Sequence, residues 1–212
     1  MSTRTIAVVS AGMGTPSSTG VLADRLAQAA RRELAAHDVS AVIEPVELRD
    51  LAHALTDNLL TGFAGEDLQA AKDSVAGADA VIAVTPIYSG SYTGLFKTFF
   101  DLLEPGSLVD IPVLIGATAG TPRHSLALDH ALRPLFAYLR AVVVPTGVFA
   151  ASEDWGAAGP GRAGTTDGGL SARVDRAAGQ LAALTIARPR TVVADPFAIT
   201  ADFEQLLSRR SR

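Results

Sequence analysis

Short apolar runs alternate with amphipathic segments five times along the chain, and this alternation constrains the fold more than any other feature. The runs are apolar throughout rather than at every second position, which is typical of parallel strands covered on both faces. Five such strands favour an α/β three-layer sandwich around a doubly wound parallel sheet of order 2-1-3-4-5. The predicted strands are Thr5–Ser10, Val39–Ile43, Ala80–Val84, Pro112–Ala117 and Val142–Val148.

Between these strands the apolar residues recur with a helical period. The predicted helices are Gly20–His37, Glu66–Gly77, Thr93–Glu104, Ser125–Arg140 and Leu170–Ala187. A glycine-rich loop is predicted over Gly156–Gly169, and a short helical stretch over Asp202–Leu207 in a proline-punctuated tail. No internal repeat or domain boundary is visible. We therefore expect one domain over residues 1–187, followed by a C-terminal extension over 188–212.

The composition excludes several classes of function. With 212 residues, 48% hydrophobic and 19% charged, the chain is long enough for one well-buried domain and is not disordered. A net charge of −4 argues against a nucleic-acid partner, and no apolar run is long enough to span a membrane. The chain has no cysteine, which excludes disulfides and thiolate catalysis, and its histidines lack metal-ligand spacing, so no metal site is predicted. We expect a cytoplasmic protein, since no export signal is visible.

Three loops are expected to meet at one edge of the sheet, because the carboxyl ends of parallel strands share an edge. Loop 1, over Ser10–Thr19, carries several hydroxyl side chains directly before a helix N-terminus. Hydroxyls, free amides and the positive helix end together favour an anion. The Walker A lysine is absent, so a phosphate monoester fits better than a nucleoside triphosphate. The alternative is a helix N-cap with additional serines.

Loop 2, over Pro86–Ser91, and loop 3, over Ala117–Pro122, complete this edge. Loop 2 combines proline, glycine, serine and Tyr88 after an apolar strand, which suits a flat aromatic ligand that is hydrogen-bonded along one edge. Small residues in loop 3 let a ring approach the backbone closely. Flavin is the leading candidate. The alternative for loop 2 is a turn with a packing tyrosine.

These segments resemble the NADPH-dependent FMN reductase family, which has a flavodoxin-like fold, and in particular the reductase components of two-component flavin monooxygenase systems. The resemblance covers residues 4 to 187 roughly. The matching segments are loop 1 with Ser10, Gly12, Ser17, Ser18 and Thr19; Thr85-Pro86-Ile87-Tyr88 through Lys97 and Asp101; Ala117-Thr118-Ala119-Gly120-Thr121; the helical run His124 to Leu135; and Thr146-Gly147-Val148-Phe149-Ala150.

The resemblance implies an NAD(P)H-dependent FMN reductase that passes a hydride from NADPH, or NADH, to FMN for use by a partner monooxygenase. It implies phosphate contacts from Ser10, Ser17, Ser18 and Thr19, with Gly12 of the same loop also in the cofactor-binding set. It implies contacts along the ring and ribityl chain from Pro86, Ile87, Tyr88, Ser89, Gly90 and Ser91, and contacts at the other end of the ring from Thr118, Ala119 and Gly120. It implies no catalytic side chain, since the flavin carries the chemistry. In the family, loop 1 usually reads Gly-Ser with a nearby arginine. Loop 1 here has no arginine, which implies less cationic help for the phosphate.

Two alternatives remain on sequence grounds. One is a quinone or azo reductase with tightly bound FMN, and the other is a non-enzymatic flavodoxin-like electron carrier. The modest charge and the C-terminal extension favour an enzyme over a carrier. The helix over Thr93–Glu104 carries Phe96, Phe99 and Phe100 across a wide arc, which predicts a homodimer or tetramer with the flavin near its interface.

Overall fold

The computed structural model describes residues 2–155 and 169–189. The predicted loop over Gly156–Gly169 lies outside these residues except for its last glycine. The helical stretch expected over Asp202–Leu207, and all but the first residues of the expected extension over 188–212, also lie outside them. Among the described residues, no helix is long and apolar enough to cross a membrane.

A largely parallel sheet lies at the centre of the molecule. Its central strands are buried along nearly their whole length, as expected for a sheet covered by helices on both faces. The strands are β1 Ser2–Ser10, β2 Val39–Glu47, β3 Ala80–Tyr88, β4 Ser91–Tyr92, β5 Pro112–Ala119, β6 Val142–Val143 and β7 Val148–Ala151. The order is β2-β1-β3-β5-β6, with β7 also paired to β5 and β4 antiparallel to β3.

The flavodoxin-like α/β fold is confirmed, but the sheet has seven strands in the described residues rather than the five expected. One addition is β4, which forms a short hairpin with β3. The other arises because the strand predicted over Val142–Val148 is interrupted. Pro145 has no amide hydrogen to donate, and the amide of Thr146 donates to the Gln180 side chain at 2.8 Å instead of to a strand. Two short strands on β5 result.

Six α-helices surround the sheet in the described part of the chain, and their bounds are α1 Ser18–Ala35, α2 Ala52–Thr61, α3 Glu66–Gly77, α4 Gly94–Asp101, α5 Arg133–Tyr138 and α6 Gly169–Ala187. Helix α2 was not predicted. The helix predicted over Ser125–Arg140 is divided into a π-helical segment over Leu128–Leu132 and α5, and a 3₁₀ turn over Pro122–His124 precedes it. Such a π-helical segment widens the helix by an additional residue.

The core consists of two layers, one on each face of the sheet. Helices α1 and α6 cover one face, while α2, α3, α4 and the residues around Phe136 cover the other. Phe96, Phe99 and Phe100 are at most 1% exposed, and the rings of Phe100 and Phe136 meet edge to face at 4.9 Å. The three phenylalanines are thus satisfied within one chain. These side chains therefore need no second subunit to cover them, and the prediction that they form an interface for this reason is wrong.

Candidate functional site

The three loops meet around one open cavity of about 280 Å³ at the carboxyl edge of the sheet. Its position follows from the parallel order, which brings the ends of β1, β3 and β5 side by side. The lining residues are Met13, Gly14, Pro16, Ser17, Ser18, Thr19, Pro86, Ile87, Tyr88, Thr118, Ala119, Gly120, Ser152 and Trp155. The loop 1 side of the cavity, here called its hydroxyl-rich end, carries Ser17, Ser18 and Thr19, while the aromatic residues Tyr88 and Trp155 come from other segments.

Loop 1 is folded tightly against the start of α1. The Ser17 hydroxyl caps this helix by accepting a hydrogen bond from the amide of Gly20 at 3.1 Å. A Cβ at Gly12 would lie 1.9 Å from Ser17 Oγ, so only glycine fits there without rearrangement. The amides of Gly20 and Val21 donate to Ser17, whereas those of Ser18 and Thr19, the first two of α1, have no acceptor within the helix. This donor set suits an anion.

Loop 3 is held to loop 1 by a buried pair of hydroxyls. Thr19 Oγ1 and Thr118 Oγ1 are 2.8 Å apart, and both residues are at most 5% exposed. One of the two hydroxyls donates to the other, which leaves the acceptor's own hydrogen free for a further partner. A buried hydrogen bond therefore joins loops 1 and 3 where both line the cavity.

Loop 2 is a tight hairpin between β3 and β4. Its central residues Ser89 and Gly90 both have positive φ angles, 52° and 82°, as type I′ turns require. The amide of Thr93 donates to Thr85 Oγ1 at 3.2 Å and holds the far side of the hairpin against β3. Tyr88, at the start of the turn, is 55% exposed and lines the cavity. Its ring is therefore available to a ligand.

A further part of the wall was not anticipated from the sequence. Ser152 and Trp155 come from a 3₁₀ turn after β7. Asp154 holds this turn in place, because its carboxylate accepts from Arg173 at 3.0 Å and from the amide of Ala151 at 2.8 Å. The guanidinium of Arg25 lies 5.0 Å from the centre of the Trp155 ring. No local pattern marks these residues, since only the sheet order brings β7 beside β5.

Nine of the fourteen residues named as binding candidates line the cavity: Ser17, Ser18, Thr19, Pro86, Ile87, Tyr88, Thr118, Ala119 and Gly120. Gly12 shapes loop 1 from behind. Ser89, Gly90 and Ser91 form the hairpin beyond the cavity wall, and a Cβ at Gly90 would meet no atom within 4 Å. Met13, Gly14 and Pro16 line the cavity from loop 1 but were not named in advance.

Ser10 lies beneath the cavity rather than in its wall. Its side chain is fully buried, and its hydroxyl has no partner in hydrogen-bonding geometry. The Glu47 carboxyl at the end of β2 is its nearest charged neighbour along the sheet. Desolvation raises the pKa of Glu47, although the residue as a whole is exposed, and the Ser10 hydroxyl opposes this rise. The unsatisfied hydroxyl is a donor held just behind loop 1.

Comparison with known proteins identifies relatives of this arrangement. The family model for NADPH-dependent FMN reductases matches residues 4–156. An FMN reductase (NADPH) of Pseudomonas aeruginosa is 40% identical over 150 residues, which cover 71% of this chain and 78% of the relative. The NADH-dependent FMN reductase SfnE of Pseudomonas putida is 42% identical over 151 residues, covering 70% and 77%. The crystal structure of an oxidoreductase from Corynebacterium diphtheriae superimposes with a TM-score of 0.82 at 43% identity, covering 89% of this chain and all of that one.

Proposed function

The chain belongs to the NADPH-dependent FMN reductase family, and on that premise we propose that the cavity at the carboxyl edge of its sheet binds FMN. The chain is an oxidoreductase that uses NADPH or NADH with FMN, as its relatives do.

The hydroxyl-rich end of the cavity is the observation that carries the site assignment. FMN differs from riboflavin by a phosphate, and the start of α1 offers free amides, the Ser18 hydroxyl and the positive helix end to such a group. The glycine-only position at Gly12 leaves no Cβ between loop 1 and the helix. The residues present therefore fit the phosphate.

The aromatic and small residues fit the remainder of FMN. Tyr88 and Trp155 present aromatic side chains to the cavity, and Ala119 and Gly120 add little bulk beside them. When it is bound, FMN supplies the hydride acceptor of the reaction. The protein positions the ring with Tyr88 and loop 3, and the open side leaves room for a nicotinamide. No side chain needs to transfer a proton, so no catalytic residue is assigned.

Steady-state oxidation of NADPH and of NADH, with and without added FMN, tests this function. We expect turnover that depends on added FMN and saturates with it, because the cavity is open and FMN can enter and leave. Turnover by the purified protein that is independent of added FMN would instead identify a reductase with tightly bound flavin. A flavin-loaded protein without NAD(P)H turnover would contradict the enzymatic assignment.

We further propose that reduced FMN is delivered to a partner flavin monooxygenase and that the protein acts in the cytoplasm, where NAD(P)H is regenerated. The open cavity supports release of the reduced flavin. Mixing the reductase with a flavin-dependent monooxygenase under limiting FMN tests the first proposal, and product formation should require NAD(P)H and the reductase. Cell fractionation tests the second.

We also propose a homodimer or tetramer, on a different surface from the one first expected. Large apolar side chains stay exposed at the end of α2, where Leu59, Leu60 and Phe63 are 59%, 78% and 81% exposed. A monomer seldom leaves such a cluster uncovered. Light scattering of the wild type and of the Leu60→Asp, Phe63→Asp double variant tests this proposal. A wild type that is already monomeric at micromolar concentration would contradict it.

A further inference from the structure

A fourth loop lies at the same edge of the sheet as the three that line the cavity. It follows β2, which runs parallel to β1 and is its outer neighbour in the sheet. The amide of Leu48 donates to the carbonyl of Ser10 at 2.9 Å, so the chain leaving β2 is fastened to the point where loop 1 begins. The next residue is Arg49. Its backbone position is thus fixed relative to loop 1.

The side chain of Arg49 reaches loop 1. Its Nη1 donates a hydrogen bond to Thr15 Oγ1. Thr15 stands between Gly14 and Pro16, which both line the cavity. Loop 1 itself contains neither lysine nor arginine and offers only neutral donors. The guanidinium of Arg49, from the loop after β2, therefore brings a full positive charge to this segment.

No ion pair neutralises the charge of Arg49 in the described residues. Ion pairs in the described residues occupy Arg4, Arg32, Lys72, Lys97, Arg133 and Arg173. Within the same residues, Arg49 has no carboxylate partner, although Asp50 is adjacent in sequence. An exposed arginine held by a single hydroxyl keeps most of its donors available. A planar guanidinium suits a phosphate, which it can bind through two parallel hydrogen bonds.

We propose that Arg49 is the cationic anchor of the FMN phosphate, positioned by Thr15 and contributed from outside the phosphate loop. This inference rests on the proposed function, since it assumes that FMN occupies the cavity with its phosphate at the start of α1. It assigns to the β2 loop the charge that loop 1 lacks. It also makes Arg49 a determinant of the preference for FMN over riboflavin.

Flavin titration with and without the phosphate tests the proposal directly. FMN and riboflavin differ only in that group, so their affinities for the wild type and for Arg49→Ala form a cycle that isolates the pairing of guanidinium and phosphate. Binding is followed by flavin fluorescence, without NADPH, at low and at high salt. We expect Arg49→Ala to weaken FMN binding about tenfold at low salt, the loss of one hydrogen bond to a charged group, and to leave riboflavin unchanged.

Three further variants sharpen the result. Arg49→Lys keeps the charge and should recover part of the FMN affinity. Thr15→Val removes the acceptor that positions Arg49 and should weaken FMN binding less than Arg49→Ala does. Arg32→Ala is the matched control, because it removes the same charge from an exposed arginine on α1. Arg32 lies about 22 Å along the helix from its N-cap, Ser17. It should leave both flavin affinities unchanged, and the salt dependence of FMN binding should decrease only in the Arg49 variants.

Each outcome decides the matter. If the wild type prefers FMN and Arg49→Ala retains that full preference, the inference about Arg49 is overturned while the flavin site stands. If Arg49→Ala weakens both flavins equally, Arg49 acts on the shape of the loop and the inference is also overturned. If Arg49→Ala leaves both flavin affinities unchanged and raises the KM for NADPH in steady-state assays, Arg49 binds the nicotinamide substrate and the inference is overturned. A wild type that binds FMN and riboflavin alike refutes the proposed phosphate site itself.

Discussion

Replacing Gly12 by alanine is the sharpest test of how loop 1 works. The new Cβ would lie 1.9 Å from Ser17 Oγ, 3.0 Å from Ser17 Cβ and 3.2 Å from Thr19 Cβ. The Ser17 hydroxyl can rotate away, but it then loses the hydrogen bond from Gly20 that caps α1. The two carbon contacts remain after that rotation, so the loop must also shift.

The expected cost follows from these two effects. Loss of an N-cap hydrogen bond costs about 1 kcal/mol, and overpacking at a tight contact costs about 1–3 kcal/mol. We therefore expect Gly12→Ala to lower the free energy of unfolding by about 2–4 kcal/mol and the melting temperature by several degrees. FMN affinity should fall about tenfold, because the Ser17 hydroxyl and the first amides of α1 no longer converge.

Chemical denaturation and FMN titration measure the two effects. Gly77→Ala is the matched control, since a Cβ there meets no atom within 4 Å and alanine is the better helix former. It should leave FMN binding unchanged. In a Ser17→Ala background the Gly12→Ala change should cost less, because the closest atom is gone. Wild-type stability and FMN affinity in Gly12→Ala would refute the reasoning.

Three further predictions address other parts of the site. Ser18→Ala should weaken FMN about tenfold and leave riboflavin unchanged, since Ser18 is exposed in the cavity and caps nothing; equal losses for both flavins would contradict a phosphate contact. Trp155 is the only tryptophan, so bound FMN should shield its emission from acrylamide quenching; unchanged quenching at saturation would remove Trp155 from the site. Burial raises the pKa of the Glu47 carboxyl above its ordinary value of 4.5. In the pH interval between 4.5 and the raised pKa, the folded state therefore holds a proton that the unfolded state releases, and the stability of the protein falls as the pH rises through that interval. Thermal melts of Glu47→Gln should therefore show a small gain over the wild type above the interval and none below pH 4.5, and a gain that is constant with pH would contradict this cause.

Local patterns predicted the repeating parts of the fold well. Helix α3 begins and ends at the predicted residues, because a glycine precedes it and its apolar period is regular. Helix α2 was missed, since its N-cap is Leu51 and no side chain caps it. The last predicted strand was too long because the interruption at Pro145 depends on a contact from α6. The wide apolar face of α4 led to the prediction of a subunit interface there. Periodicity alone does not show how much of that face the core of the same chain covers.

In the candidate site, too, the parts set by the order of the strands were predicted and the parts set by tertiary contacts were not. Loops 1, 2 and 3 were placed together correctly, since a parallel sheet dictates which strand ends are neighbours. Trp155 and Ser152 were missed because their position depends on a strand that pairs late in the chain. Arg49, which we propose as the phosphate anchor, was not predicted, although the same rule places the loop after β2 at this edge. Loop 1 is marked in the sequence by a cluster of hydroxyl residues, whereas a single arginine after β2 forms no comparable pattern.

The bond between Thr19 and Thr118 has a consequence for kinetics. It joins the start of α1 to the end of β5, so loops 1 and 3 cannot separate without exposing two buried hydroxyls. Local opening of these loops is therefore costly, and amide hydrogens there should exchange as slowly as those of the central strands. A flavin bound as proposed would enter and leave past Tyr88 and Trp155, which line the cavity, without separating loops 1 and 3. Exchange of the flavin would then need no local unfolding of these two loops.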